Sequence, residues 1–127
     1  MQFKYTILYV VDVPTSLDFY QRAFSLKLKM LHPDNDYGEL QTGTTTLAFS
    51  SLKLIRDSGK NAVASNIEHP SFEIAFETSD VAAAVDVALQ AGAKLMQAIQ
   101  LMPWGQTTAY VADCDGNLVE ICSPVMQ

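Results

Sequence analysis

Several residue types that mark particular classes of protein are scarce in this chain of 127 residues. It contains only two cysteines, Cys114 and Cys122, so it cannot carry a framework of disulfides and does not call for an oxidising compartment. No segment approaches the ~20 consecutive apolar residues that a membrane-spanning helix needs. The first residues lack the basic and then apolar run of a signal peptide. We therefore expect a cytoplasmic protein that does not enter a membrane.

Positive charge is also scarce. The chain carries 14 acidic side chains and 8 basic ones, a formal net charge of -6. Such a protein repels phosphate backbones and anionic lipid surfaces, so neither nucleic acid nor a membrane is expected as a partner. Hydrophobic residues make up 49% and charged residues 17% of the chain, an ordinary globular balance that excludes disorder. The length is that of one domain.

Motifs for several kinds of chemistry are missing. The sequence has no glycine-rich phosphate loop, no CxxC pair and no serine-centred elbow. Cys122 has no histidine near it in sequence to activate a thiol, so a cysteine nucleophile is not expected. Segment 113–116 (DCDG) is typical of a plain turn rather than a calcium loop, because no 12-residue ligand pattern follows. His32 and His69 each precede a proline, and we expect both to face solvent.

What the chain does have is a hydrophobic pattern that predicts the order strand, helix, three strands in each half. In the first half the predicted elements are a strand over 3–11, a helix from 12 onward, an extended segment over 27–32 and a hairpin of 37–41 with 44–50. In the second half they are a strand over 72–78, a helix from 79 to 92, an extended segment over 95–101 and strands over 107–112 and 117–123. The polar segment 52–70 is predicted to be a connecting loop.

Matching residues support an internal duplication. Asp12-Val13 corresponds to Asp80-Val81, Asp18 to Asp86 and Ala23 to Ala91, each pair 68 residues apart. An Asp before a helix is common, so these matches carry weight only together with the shared element order. The predicted fold is α+β, a single domain 1–127 built from two βαβββ modules at about 1–56 and 71–127, joined by a loop.

Strand alternation divides each sheet into two faces. One face is entirely apolar and is predicted to pack against the helices; it contains Leu8, Val10, Leu47, Phe49, Phe72, Ile74, Phe76, Val119 and Ile121. The opposite face mixes aromatic, small and acidic side chains; it contains Tyr5, Ile7, Tyr9, Thr46, Ala48, Ser50, Glu73, Ala75, Glu77, Leu118, Glu120 and Cys122. Because unpaired carboxylates are costly inside a core, the mixed face is predicted to line a cavity.

Two segments carry a family resemblance that spans nearly the whole chain. YVVDVPTSLDFY (9–20) resembles the first strand and helix of the vicinal oxygen chelate superfamily, and PWGQ (103–106) with YVADCDGNLVEI (110–121) resembles its C-terminal signature. That superfamily includes glyoxalase I, bleomycin resistance proteins, fosfomycin-inactivating enzymes and extradiol dioxygenases. The resemblance implies paired βαβββ modules whose curved mixed sheets form a cavity. It also implies a homodimer, often with modules exchanged between subunits.

The same resemblance implies where a metal would be held. The matching positions are occupied by Tyr5, Ala48, Glu73 and Glu120, and only Glu120 keeps the usual residue. Two carboxylates and a phenol are poor ligands for zinc, nickel or iron. At most they could hold a hard cation such as magnesium or manganese, largely through water. Ala48 offers no ligand atom. The sequence therefore predicts no metal and no other cofactor.

Alternatives remain open for the candidate ligand-binding residues, which are Tyr5, Tyr9, Glu73, Trp104, Tyr110 and Glu120. Glu120 is either a ligand or proton acceptor or a remnant of the family pattern. Trp104 is either a packed loop aromatic or a stacking wall at the cavity rim. The tyrosines are either core residues or cavity phenols whose partners would be Glu73 or Glu120. An aromatic or planar organic ligand with a cationic group would suit this set.

Three hypotheses for function follow. The first is a metal-free protein of the bleomycin-resistance type that sequesters a small organic ligand, cationic or aromatic. The second is an enzyme, a glyoxalase-type lyase, an isomerase or a transferase, that uses Glu73 and Glu120 with an unusual metal. The third is a regulatory or structural module with a vestigial cavity. Metal content separates the first two, and a ligand screen separates the first from the third.

The resemblance generates one prediction about assembly. We expect the purified protein to be a homodimer, because family members close their cavities with two half-barrels. Size-exclusion chromatography with light scattering at micromolar concentration measures the mass directly. A clean monomer would contradict the expectation.

Overall fold

The computed structural model describes residues 1–125 and contains two compact units. The first, Met1–Ser65, is called the N-module, and the second, which begins at Asn66, is called the C-module. The N-module contains β1 (Tyr5–Val10), α1 (Val13–Phe24), β2 (Lys27–Leu31), β3 (Tyr37–Gln41), β4 (Thr46–Ser51) and α2 (Leu52–Asp57). The C-module contains β5 (Glu73–Glu77), α3 (Val81–Gln90), β6 (Lys94–Leu101), β7 (Thr107–Ala112) and β8 (Leu118–Cys122).

Each module has one four-stranded mixed sheet, and the strand order is the same in both. The orders are β1-β4-β3-β2 and β5-β8-β7-β6. The first and last strands of each module pair in parallel, and the other neighbours are antiparallel. This confirms the predicted α+β class and the two βαβββ modules.

The long helix of each module begins at an aspartate. The Asp12 carboxylate accepts a hydrogen bond from the Thr15 amide at 3.1 Å, and Asp80 accepts one from the Ala83 amide at 3.0 Å. These bonds satisfy amide groups that have no partner inside the helix. Pro14 fits the first turn of α1 because its missing N–H is not needed there. The Asp-Val repeat in the sequence therefore marks two equivalent helix caps.

The helix-facing side of each sheet forms the core of its module. In the N-module Tyr20 of α1 packs on Phe49 of β4 with ring centroids 5.0 Å apart in an edge-on arrangement. The buried strand residues of that face are Leu8, Val10, Leu47, Phe49, Val119 and Ile121, as alternation predicted. Phe72 departs from the prediction: it precedes β5 and is 50% exposed. Ile74 and Phe76 of β5 are only half-buried, unlike Leu8 and Val10 of β1.

The prediction of a loop throughout 52–70 is wrong at its start. Residues Leu52–Asp57 form α2, and the Ser51 hydroxyl caps it by accepting from the Leu54 amide at 3.0 Å. The helix has only six residues, too few for a periodic pattern to stand out. None of the helices within residues 1–125 is long and apolar enough to cross a membrane.

The turn between β7 and β8 is held by Asp113, which is 7% exposed. Its carboxylate accepts from the backbone amides of Asp115 and Asn117 and from the Asn117 side chain, each at 2.8 Å. Gly116 adopts a φ of 87°, which favours glycine. The sequence predicted a plain turn at 113–116, which the structure confirms. This turn connects β7 to its antiparallel neighbour β8.

Replacing Asp113 by Ala should destabilise the protein by about 1–3 kcal/mol, because three donors lose their acceptor in a buried place. Urea unfolding followed by circular dichroism measures this. Asp86→Ala, at an exposed position on α3, is the matched control and should stay within about 0.5 kcal/mol of the parent. Equal effects of the two substitutions would show that the turn does not depend on this carboxylate.

Candidate ligand-binding site

The centre of the candidate site is a tyrosine placed between two glutamates in the C-module. Tyr110 on β7 is the register partner of Glu120 on β8, and both lie on the face of the sheet away from α3. The Tyr110 hydroxyl lies 2.6 Å from Glu120 Oε2 and 3.2 Å from Glu73 Oε2. Three of the six predicted ligand-binding residues therefore meet at one oxygen atom.

The phenol has a single proton, so it can donate to only one of these carboxylates at a time. The shorter distance assigns the proton to Glu120. The Tyr110 oxygen then turns lone pairs toward Glu73, whose side chain is exposed. This geometry leaves Glu73 as an acceptor that can take a donor or a positive charge from outside the cluster.

The cluster also keeps the phenol protonated. The hydrogen bond to Glu120, partial burial and the negative charges of Glu120 and Glu73 raise the pKa of Tyr110 well above its usual range. Tyr110 therefore remains a hydrogen-bond donor at neutral pH. Burial, with Glu120 nearby, likewise raises the pKa of the Cys122 thiol. A thiol held in its protonated form is a weak nucleophile.

A cleft of about 370 Å³ opens beside this cluster, at the small end of the ~300–1,000 Å³ range of ligand sites. Glu73, Gln97 and Tyr110 supply its polar groups. Its apolar walls are Ile67, Pro70, Met96 and Leu118. Ile67 and Pro70 come from the segment before β5, so part of the predicted connecting loop contributes to the wall. An apolar lining with a few convergent polar groups is the composition of small-molecule sites.

Charge is divided very unequally between the modules. The C-module contains eight acidic residues and one basic residue, Lys94, whereas the N-module contains six acidic and seven basic residues. The formal charges are therefore -7 and +1, which together make the -6 of the whole chain. The cleft lies in the module that carries all of the excess negative charge.

The predicted residues of the N-module lie on β1 and β4. Tyr5 is 46% exposed, Tyr9 is half-buried and Ala48 is fully buried on the face away from α1. The sequence analysis missed Tyr37 and Glu39 of β3 on the same face. The Tyr37 hydroxyl donates to Glu39 Oε2 at 2.7 Å, and burial together with that carboxylate raises the pKa of the phenol.

Alternation would have found this pair, because Tyr37 and Glu39 alternate with the buried Gly38 and Leu40. The faces assigned from the sequence covered β1, β4, β5 and β8 and did not include β3. The Tyr37–Glu39 contact is therefore known from the structure and not from the sequence.

Trp104 lies in the turn between β6 and β7. Its side chain is 55% exposed, and its indole N–H donates to Gln106 Oε1 at 2.8 Å. Gln106 in turn donates to the Ser123 carbonyl at 2.9 Å. Trp104 is absent from the side chains that line the cleft within residues 1–125. The two histidines are exposed, as predicted, and His32 lies beside Asp34 and Asp36 in its turn.

The donor atoms do not fit the metal that the family resemblance implies. In the described residues, 1–125, no three His, Cys, Asp or Glu side chains are grouped so that they could hold a metal ion. Ala48 presents a methyl group where a ligand would be needed. Glu73 and Glu120 contact the Tyr110 phenol, and neither module adds an imidazole to them. The carboxylates are therefore better suited to an organic donor than to a transition metal.

The Tyr110 geometry generates a spectroscopic prediction. Replacing Glu120 by Gln should lower the pKa of Tyr110 toward the ordinary value of about 10, because the charge that disfavours the phenolate is removed. Alkaline absorbance titration near 295 nm measures this, and Tyr110→Phe assigns the transition among the five tyrosines. Glu77→Gln, on the exposed β5 position 77, is the control. An unchanged Tyr110 transition in Glu120→Gln would show that the hydrogen bond is absent in solution.

Comparison with known proteins extends these observations. The family model of the glyoxalase-like domain matches residues 3–126. A glyoxalase-related enzyme from Fulvimarina pelagi is 23% identical with a TM-score of 0.85, and the alignment covers 98% of this chain and 88% of that chain. A glyoxalase/bleomycin resistance protein/dioxygenase family enzyme from Burkholderia phytofirmans PsJN is 20% identical with a TM-score of 0.82, covering 99% and 100%.

A lactoylglutathione lyase from Agrobacterium tumefaciens is also similar, at 19% identity and a TM-score of 0.74, with 96% of this chain and 92% of that chain covered. At these identities the structures establish a shared fold only. No curated protein matches the sequence. The family match over nearly the whole chain, together with the paired βαβββ modules, shows that this protein belongs to the glyoxalase-like domain family of the vicinal oxygen chelate superfamily.

Proposed function

We propose that this protein binds and sequesters a small organic cation, without a metal, in the cleft of the C-module. The observation that carries the proposal is the Tyr110 hydroxyl at the wall of that cleft, which has one proton and lies within hydrogen-bond distance of two carboxylates, Glu120 and Glu73. The shorter bond takes the proton to Glu120 and leaves Glu73 able to accept from a ligand. The positive group of the ligand would lie against Glu73.

Electrostatics supports a cation over an anion. The only basic side chain of the C-module is Lys94, against eight acidic residues. Glu73 and Glu120 form no ion pair with a described residue of the chain. A bound ammonium would therefore meet little competition from the protein's own cations. Anionic substrates such as glutathione conjugates would be repelled, which disfavours glyoxalase-type lyase chemistry here.

The apolar walls indicate the rest of the ligand. Ile67, Met96 and Leu118 provide aliphatic and thioether surface, and Pro70 adds a rigid ring. Burying apolar ligand surface stabilises a complex by roughly 25 cal/mol per Å² before the costs of association. An aromatic or aliphatic body would pack against these side chains. The small volume favours a ligand with one ring over a large polycyclic molecule.

The family resemblance supports two further elements of the proposal. We place the protein in the cytoplasm as a homodimer, as the sequence analysis expects. The role of Tyr5 and Tyr9 as ligand contacts stays a prediction from the sequence; both lie on β1, on the face of the N-module sheet that corresponds to the cleft-bearing face of the C-module sheet. Trp104 remains proposed as an aromatic contact, although its indole N–H is already satisfied by Gln106.

Calorimetric titration with 2-phenylethylammonium, and with the uncharged 2-phenylethanol as its matched analogue, tests the proposal. We expect the cation to bind more tightly than the alcohol. Glu73→Gln and Glu120→Gln should each weaken cation binding by about 1–3 kcal/mol, the scale of a lost charge-assisted hydrogen bond. Binding of the alcohol should change little.

Glu77→Gln is the control, because Glu77 is exposed on the same strand but does not line the cleft. It should leave both affinities within about twofold of the parent, since surface substitutions of this kind have small effects. If the cation binds Glu73→Gln and Glu120→Gln as tightly as it binds the parent, the glutamates are structural remnants and the site assignment is wrong.

A further inference from the structure

The two modules share an irregularity at the same place in their sheets. In the N-module Leu28 pairs with Leu40 and Met30 with Glu39, so Lys29 is an extra residue in β2. In the C-module Leu95 pairs with Val111 and Gln97 with Tyr110, so Met96 is an extra residue in β6, which has a second register shift between Gln97 and Gln100. Each is a β-bulge, in which two residues of one strand oppose one residue of its neighbour and a side chain is re-aimed. Lys29 and Met96 therefore occupy equivalent positions.

The N-module uses its bulge to bring a cation to a carboxylate. The Lys29 ammonium lies 3.6 Å from Glu39 Oε1, and the other oxygen of Glu39 accepts from Tyr37. The Glu39 side chain is only 13% exposed. A carboxylate this well covered is far less costly when an ammonium partly neutralises it. The N-module thus supplies its own ammonium.

The C-module has the same bulge but a different residue in it. Met96 is uncharged and lines the cleft together with Glu73 and Tyr110. Tyr110 stands at the sheet position that corresponds to Glu39, and it contacts the carboxylates of Glu120 and Glu73. The tyrosine–glutamate contact of the C-module joins β7 to β8, whereas that of the N-module lies along β3, so the two contacts are not at equivalent positions. What the C-module shares with the N-module is the bulge beside a carboxylate-bearing sheet face, and its bulge residue supplies no ammonium.

We infer that a primary ammonium of the ligand takes the place in the C-module that the Lys29 ammonium has in the N-module, with its carbon chain lying along Met96. The inference rests on the proposed function and names its ligand class. A primary ammonium carries three N–H donors, as lysine does. The acceptors at the cleft are the Glu73 carboxylate and the side-chain carbonyl of Gln97. A quaternary ammonium has no N–H and cannot use them.

The decisive variant is Met96→Lys, which supplies the missing ammonium from the protein itself. It should weaken binding of 2-phenylethylammonium by at least about tenfold, the effect of a competing charge-assisted hydrogen bond. Met96→Leu is the matched control for lost thioether packing, and a volume-conserving change of this kind should alter the affinity by less than about threefold. Loss of binding in both variants to the same extent would overturn the inference, because packing alone would then explain it.

Two further measurements do not depend on ligand affinity in the variant. Alkaline titration of Met96→Lys should show a lower pKa for Tyr110 than in the parent, because a nearby ammonium favours the phenolate. The parent should bind 2-phenylethylammonium at least about tenfold more tightly than its N,N,N-trimethyl derivative, which has lost every N–H donor. Equal affinity for the two ligands would overturn the inference even if the lysine variant failed to fold.

The outcomes separate this inference from the proposed function. If the parent binds the ammonium through Glu73 but Met96→Lys binds it equally well, the cation site is real and the equivalence with Lys29 is wrong. If the parent binds no cation, the proposed function itself fails. If Met96→Lys loses binding while Met96→Leu and the Glu77→Gln control retain it, both proposals are supported.

Discussion

The candidate site depends on one proton. Strand pairing places the Tyr110 phenol opposite Glu120, and the parallel strand β5 brings Glu73 to the same oxygen. Because a phenol donates one hydrogen bond, two carboxylates cannot both be satisfied by it. The hydrogen bond to Glu120, partial burial and the two negative charges raise the pKa of Tyr110. Glu73 is left at the cleft as an acceptor that the phenol does not satisfy. Binding of an organic cation at the cleft is proposed because Glu73 receives no proton from the phenol.

The internal duplication explains why Glu73 lacks an ammonium donor among the described residues of its module. Both modules keep the same strand order, the same helix cap and the same bulge. In the N-module the Lys29 ammonium pairs with the Glu39 carboxylate, whereas the C-module has Met96 at the position equivalent to Lys29. The N-module therefore pairs its β3 carboxylate, Glu39, with its own ammonium, whereas Glu73 on β5 of the C-module receives no ammonium from the bulge of that module. The formal charges agree with this difference, since the N-module carries +1 and the C-module carries -7.

Membership of the glyoxalase-like domain family gives the architecture but not the chemistry of this protein. The positions that the family resemblance assigns to a metal carry a phenol, a methyl group and two glutamates. Both glutamates instead lie within hydrogen-bond distance of the Tyr110 hydroxyl. The fold thus retains a polar sheet face beside a cleft while the donor set on that face has changed. Function has to be argued from that donor set.

The sequence by itself determined the order of the strands and long helices, both helix caps, the turn at Asp113 and the two faces of β1, β4, β5 and β8, because these depend on local periodicity and on short-range hydrogen bonds. It also identified Glu73, Tyr110 and Glu120 as neighbours on one kind of face. The short helix α2, the exposure of Phe72 and the Tyr37–Glu39 contact emerged only from the structure. Above all, the register of β2 on β3 and of β6 on β7 decided which residues the bulges turn toward the carboxylates. A one-residue shift in pairing reverses the face of every side chain, and tertiary packing sets that register.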